Sequence, residues 1–303
     1  MLIHYKEAIM HFHGPIVRPA TDANSLFIEV TAGCSHNSCA FCNFYEGTPF
    51  WVAPLSQIEE DLQEAKENWP DARDIWASGG DPFVLSTEKQ IAVWDLIRKY
   101  YPDARLSTYA TVADFRDKTV EDIKRIKAHG LDDLVLGIES GDDAVLTAMN
   151  KGYQAAEIVE ACGKMDAAGL PYRSIYLGGL AGAGKLEESA RKSAAIWNQI
   201  HPYYMYLTNV ALLPGTELAQ RAARGEFQEA SERERLLEIR TLLENFQNPI
   251  TVDTVTSTSS ILMVARLPKD RQQALAKVDQ LLLQMDDVTA RRLQERRHRM
   301  RTV

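Results

Sequence analysis

An alternation constrains this chain more than any other feature. Six short apolar runs recur along it, separated by segments of helical periodicity. The runs are SLFIEVTAG (25–33), DIWASGG (74–80), RLSTYAT (105–111), DLVLGIES (133–140), YRSIYLGGL (172–180) and YYMYLTNVALLPG (203–215). Several are apolar at successive positions, as strands covered on both faces must be. Strands alternating with helices imply parallel strands joined by right-handed crossovers. Eight such repeats close a full barrel. Six predict an α/β fold, a partial, open (β/α)6 TIM-like barrel.

The helical segments carry their own signals. In SQIEEDLQEAKEN, Ser56 and Glu59 fit a capping box, while Ile58, Leu62 and Ala65 share one face. Thr119 and Asp122 open another helix, with Val120, Ile123 and Ile126 periodic. Further helices fit 87–100, 154–168, 187–199, 216–224 and 231–246, and a long final one starts near 270. Between the last two, ITVDTVTSTSSILMVARLP reads as extended. The expected organisation is an N-terminal extension (1–23), a core barrel (24–225) and a mostly helical C-terminal extension (226–303). That last part flanks or caps the barrel and is not another repeat of it.

Directly after the first run, GCSHNSCAFC (33–42) puts three of the four cysteines within nine positions. Functional groups in parallel α/β folds sit on loops at the carboxyl ends of strands. The N-terminus, MLIHYKEAIMHFHGP, has charges and histidines where a secretory signal needs an apolar core. No apolar run approaches the roughly 18 residues of a spanning helix. A cytoplasmic, reducing setting is therefore expected, and there clustered cysteines read as metal-binding or catalytic before structural. The net charge of -8 gives no general reason to expect nucleic acid or an acidic membrane as partner.

The spacing is C-x4-C-x2-C. Thiolates this close can wrap one compact cofactor such as a [4Fe–4S] cube, and three ligands for four irons leave one iron open to a non-protein ligand. A Cys3His zinc site with His36 is the second reading, although zinc motifs usually draw ligand pairs from two separated segments. Ordinary core cysteines are the third. Cys162, at helical spacing with Ile158 and Met165, is expected in the core.

With Cys34, Cys39, Phe41 and Cys42 at the end of the first strand of a six-repeat barrel, the chain resembles the radical S-adenosylmethionine (SAM) superfamily. The resemblance spans about residues 24–225. It implies that Cys34, Cys39 and Cys42 hold a [4Fe–4S] cluster whose fourth iron is chelated by SAM, and that Phe41 meets the adenine. SGGDP is similar to the family's Gly-Gly-Glu segment, placing Gly79, Gly80 and Asp81 against the methionyl amino group. GIESGDDAVLTAMNKG looks like the segment whose glutamate binds the ribose hydroxyls, here Glu139. YLGGLAG matches the glycine-bearing fifth strand beside the adenine. NVALLPGTEL looks like the sixth, with backbone near Ala211 and Leu212 edging it. Arg173, entering strand five, is a candidate for the SAM carboxylate, and a solvated strand-end arginine is its plain alternative. Two features depart from the commonest family pattern: one extra residue in the first cysteine gap, and Asp81 in place of glutamate.

Other signals carry less. AGAGK (181–185) lacks the full phosphate-loop pattern, since Leu186 follows Lys185. RRLQERRHRMR is basic, which suits a helix carboxyl end and is also compatible with an RNA-binding tail. The hydroxyls of 251–260 are candidates to face a substrate from a cap over the barrel mouth. His11 and His13 carry no spacing signal. LPKD resembles a tail of radical SAM proteins of unassigned substrate.

The resemblance implies an enzyme that reductively cleaves SAM, usually to a 5′-deoxyadenosyl radical that acts on a substrate not named by the sequence. The alternatives are 3-amino-3-carboxypropyl radical transfer, or a zinc or iron–sulfur protein that does not cleave SAM. It further implies a one-electron donor such as flavodoxin or ferredoxin and a small-molecule substrate.

Overall fold

The computed structural model describes residues 10–301; the first nine residues of the expected N-terminal extension lie outside that range. The chain opens with β1 (Leu26–Glu29), β2 (Thr31–Ala32), β3 (Trp51–Val52), α1 (Leu55–Asn68), β4 (Asp74–Ser78) and α2 (Thr87–Tyr100). Next come β5 (Arg105–Ala110), α3 (Val120–Ala128), β6 (Asp133–Glu139), α4 (Asp143–Ala148), α5 (Ala155–Ala168) and β7 (Tyr172–Gly178). The rest is α6 (Leu186–Trp197), β8 (Tyr204–Asn209), α7 (Glu217–Ala223), α8 (Glu232–Asn245), β9 (Ile250–Asp253), β10 (Val264–Leu267), α9 (Arg271–Gln284) and α10 (Asp287–His298). All six expected runs contain a strand of the main sheet, whose order is β1-β4-β5-β6-β7-β8-β9-β10. The first seven are parallel and only β10 is antiparallel, so the sheet is an open barrel rather than a closed one.

The pleat explains why these runs are apolar throughout. Along β4, Ile75 and Ala77 join the large core under the helices, whereas Trp76 joins a second cluster on the concave face. Leu134 and Leu136 of β6 likewise face the helices, and Val135 between them faces inward. Alternate side chains point to opposite faces, and both faces are filled. The concave cluster of Trp76, Val135 and Tyr206, flanked by Phe27, Tyr109, Ile175 and Tyr204, makes the barrel interior aromatic.

Three differences from expectation have local causes. The first run does not continue as one strand. After Val30 the chain leaves β4, and β2 pairs antiparallel with β3, Thr31 opposite Val52 and Ala32 opposite Trp51. That two-rung stem closes the cysteine loop. Second, the sheet does not end at the expected boundary near 225. After α8, β9 pairs parallel with β8, so the C-terminal part adds a seventh parallel strand. Third, the final helix is two helices, because Met285 is extended and the Asp286 side chain accepts from Thr289 N to cap a new start.

Candidate active site

The cysteine loop lies at the carboxyl end of β1 and is pressed against the carboxyl end of β4. Gly80 N donates to Gly33 O at 2.9 Å. A Cβ on Gly80 would stand 2.6 Å from Gly33 O and 2.7 Å from Cys34 Cβ, and one on Gly79 would stand 2.6 Å from Thr31 O. Neither contact is tolerable, so the glycine pair is what lets the loop approach. Asp81, fully buried, accepts from Ser35 N at 3.0 Å and also from Ser35 Oγ. Its carboxylate therefore braces the cysteine loop from behind.

Cys34, Cys39 and Cys42 are free thiols and line one cavity of about 350 Å³ together with Phe41, Gly80 and Glu139. Val17, Tyr45, Tyr109, Asp114, Lys151 and Tyr153 complete much of its wall. Glu139 ends β6 at a register irregularity and takes φ 69°. This left-handed conformation is costly for a side chain with a Cβ and is found where function fixes geometry. Lys151 Nζ lies 3.6 Å from Glu139 Oε1 and sits over the Phe41 and Tyr153 rings, 5.6 and 5.5 Å from their centroids. Burial alone would lower its pKa, but Tyr153, Cys39 and Glu139 outweigh that and hold it well above the usual lysine range. Lys151 is a buried ammonium facing the cavity.

The same charge acts on the thiols. Burial pushes Cys34 up to about 12 and Cys42 up to about 11. For Cys39 the burial effect is overcome by Lys151 and His36, and its pKa falls below the ordinary cysteine value. A cavity with three free thiols, one of them drawn below the ordinary cysteine pKa by a fixed cation, has the donor chemistry of an iron–sulfur site. Among the described residues, no three His, Cys, Asp or Glu side chains converge tightly enough to share one metal ion. His36 Nε2 lies 2.6 Å from Asn150 O. Three cysteines of one loop facing one cavity are the donor set that a [4Fe–4S] cluster takes.

Several sequence expectations need correcting. Arg173 is 4% exposed and lies at the amino end of β7, opposite Val135, four residues before Glu139 on β6. At about 3.3 Å per residue that is roughly 13 Å below Glu139, on the wrong floor of the barrel. Its guanidinium is spent on Asp22 at 2.5 Å, Asp133 at 3.1 Å and Tyr206 at 2.9 Å. Gly79 and Asp81 pack the cysteine loop and do not line the cavity. Neither do Ala211, which is buried, and Leu212, which packs with Phe41 against a neighbouring apolar cluster. The hydroxyls of 251–260 are largely internal: Thr258 bonds Thr208 and Asn209 N, Thr254 bonds Ile261 O, and Ser260 bonds Glu232.

Lys151, Tyr153 and Asp114 were not singled out by their spacing. The signal for Lys151 was its place in the NKG that follows a glutamate-bearing strand end. Asp114 caps a short turn through Thr111 N and Oγ1, at 2.7 and 2.9 Å, as many loop aspartates do. Only its burial and its position on the cavity wall distinguish it.

The family model described as the radical SAM superfamily matches residues 28–191, more than half the chain. The chain belongs to the radical SAM superfamily. Its cofactors are accordingly a [4Fe–4S] cluster and SAM. This radical SAM protein is 26% identical over 200 residues to the heme chaperone HemW of Mycobacterium tuberculosis, a match covering 62% of this chain and 50% of that one. It thus spans about half the length of these HemW relatives. It is also 24% identical over 263 residues to an uncharacterized protein of Methanocaldococcus jannaschii, covering 83% of this chain and 77% of the other. Among solved structures, it resembles coproporphyrinogen III oxidase (HemN) from Escherichia coli with a TM-score of 0.53 at 17% identity, over 73% of this chain and 51% of that one. Methylornithine synthase (PylB) gives 0.53 at 14% identity, over 85% and 81%. At those identities the likeness concerns the fold alone. No helix among the described residues is long and apolar enough to cross a membrane.

Proposed function

We propose that this radical SAM protein is an enzyme that reductively cleaves SAM to a 5′-deoxyadenosyl radical and directs it at a small molecule. The observation that carries the reading is the shared cavity: three free cysteines facing the Glu139–Lys151 pair across the carboxyl ends of the strands. Cys34, Cys39 and Cys42 would hold the cluster. When bound, cluster and SAM supply the chemistry: one electron passed to the sulfonium breaks the bond to the 5′ carbon homolytically, leaving methionine and a carbon radical.

The chain's own part is positioning. Phe41 offers a ring face to the adenine, and Glu139 accepts from the ribose hydroxyls. Lys151, not Arg173, is the cation able to meet the SAM carboxylate, because it alone of the two lines the cavity. Gly79, Gly80 and Asp81 act through the loop they brace. The aromatic floor of Trp76, Tyr109 and Tyr206 keeps water from the radical's path.

The test is an anaerobic reaction of reconstituted protein with dithionite and SAM, analysed after quenching. Slow release of 5′-deoxyadenosine and methionine is expected. Cluster-dependent 5′-methylthioadenosine as the main product would replace this reading by 3-amino-3-carboxypropyl chemistry. Binding of SAM with no cleavage would favour a non-catalytic role, the function class that the HemW name denotes for that relative.

A further inference from the structure

The basic C-terminal segment is not a loose tail. Arg297 of α10 is fully buried, paired with Glu232 and 3.7 Å from Glu229. His298 and Gln294 reach the same Glu229 at 2.6 and 3.2 Å, and Arg296 donates to Ser259 O at 2.7 Å. Residues 294, 297 and 298 fall on one face of the helix and fix it to the body. The exposed part of the helix carries Arg292 and Arg299 opposite that face and Arg291 at its edge, with Arg299 3.3 Å from the Glu295 carboxylate. Just past the helix, Arg301 O accepts from Asn43 Nδ2 at 3.2 Å, and the same amide donates to Pro214 O. Asn43 follows Cys42 directly. An outward cationic face is therefore anchored against the cysteine loop, on a chain whose net charge is -8.

We infer that this face of α10 is the docking surface for an acidic one-electron carrier protein that reduces the cluster. The inference rests on the radical SAM reading, which requires an electron from outside. Complementary charge is worth most in steering encounter and orienting partners, and here it steers to the flank of the cysteine loop. Single-stranded RNA, the other acidic partner, is held by cations interleaved with stacking aromatics. The sequence of α10, DVTARRLQERRH, contains no Phe, Tyr or Trp.

The experiment compares two reductants on anaerobically reconstituted protein, dithionite and a reduced acidic flavodoxin, following cluster reduction by stopped-flow absorbance. The variant is Arg291→Glu/Arg292→Glu/Arg299→Glu, with the corresponding triple Gln variant beside it. Low-salt reduction by flavodoxin should fall at least tenfold in the Glu variant and by less in the Gln variant. Rates for wild type and variants should converge in about 1 M salt, where screening shortens electrostatic reach to about 3 Å. Iron content and the dithionite rate should not change. Should the Glu variant lose iron, the Gln variant decides alone, since it removes charge without adding repulsion. Unchanged flavodoxin rates at low salt overturn the proposal. So does retention of single-stranded RNA that depends on the same arginines while flavodoxin rates stay put. A protein that never binds iron overturns the radical SAM reading first, and with it this one.

Discussion

The two ends of the barrel interior hold similar residues and use them differently. At the amino end, Asp22 and Asp133 are buried against Arg105 and Arg173, and Tyr203 and Tyr206 add hydroxyls. Each carboxylate there meets two guanidinium groups, and the network closes on itself. At the carboxyl end, the buried Lys151 has only Glu139 as a salt-bridge partner among the described residues, at the longer distance of 3.6 Å, and three thiols share its space. The Tyr45 hydroxyl nearby has no hydrogen-bond partner among the described residues. Trp76 Nε1 and Arg173 Nε toward the floor lack such partners too, so it is the three thiols and the sparsely paired ammonium that set the mouth apart. The floor is a seal. The mouth is a site.

The largest effect that should separate them is loss of iron. Changing Cys34, Cys39 or Cys42 to Ala should take anaerobically reconstituted protein from about four irons per chain to near none, as a cluster held by three thiolates requires. Cys162→Ala should keep its iron, because that thiol is buried under the helices and away from the cavity. A colourless protein with one zinc per chain would erase the contrast.

The next effect is on SAM affinity. Arg173→Met leaves Asp22 and Asp133 buried with one cation instead of two. Breaking such a network costs about 3 kcal/mol or more. SAM affinity of the folded protein should not move. Lys151→Met also leaves a buried carboxyl, Glu139, without its cation and should destabilise too, but it alone of the two should lose at least tenfold in SAM affinity. Calorimetric titration and urea unfolding on both variants check this. Weakened SAM binding in Arg173→Met, with Lys151→Met unaffected, would restore the arginine to the site.

That pair also shows where the sequence was legible. The six main strands could be read because each must be apolar on both faces, and the cysteines because their spacing after a strand end is rare. The four-residue β9 could not, since ITVD carries too little periodicity to distinguish a strand from a loop. Arg173 and Lys151 are both lone cations near glycine-bearing segments. Only inter-strand register tells which reaches the mouth. One hint was present: Arg173 enters its strand, and side chains at strand starts belong to the floor of a parallel barrel. Lys151 depends on a helix folding back over Phe41, which no local pattern encodes.

The smallest expected effect concerns two buried aspartates whose ionisation is displaced in opposite directions. For Asp22, burial raises the pKa, but Arg173 and Arg105 outweigh it and hold the carboxyl below its usual value. Its stabilising contribution is present above the unfolded pKa of about 3.9 and fades as pH falls through the lower folded value. Asp114, on the cavity wall, is pushed up to about 7 by burial and by the Asp81 charge, against the bonds from Thr111. Its contribution is complete below about pH 3.9 and is lost as pH rises through about 7, at no more than about 1.4 kcal/mol per pH unit. Between pH 5.5 and 8 the two should therefore separate. Asp22→Asn should lower urea stability by a constant amount, because Asp22 is ionised throughout that window in both states. Asp114→Asn should instead diverge from wild type, gaining relative stability as pH rises and levelling off above 7. Glu238, also pushed up to about 7 by burial, adds the same slope to both proteins and cancels in the difference. An Asp114→Asn curve parallel to wild type from pH 5.5 to 8 would mean that Asp114 is an ordinary ionised cap, with no proton to exchange near neutrality on the cavity wall.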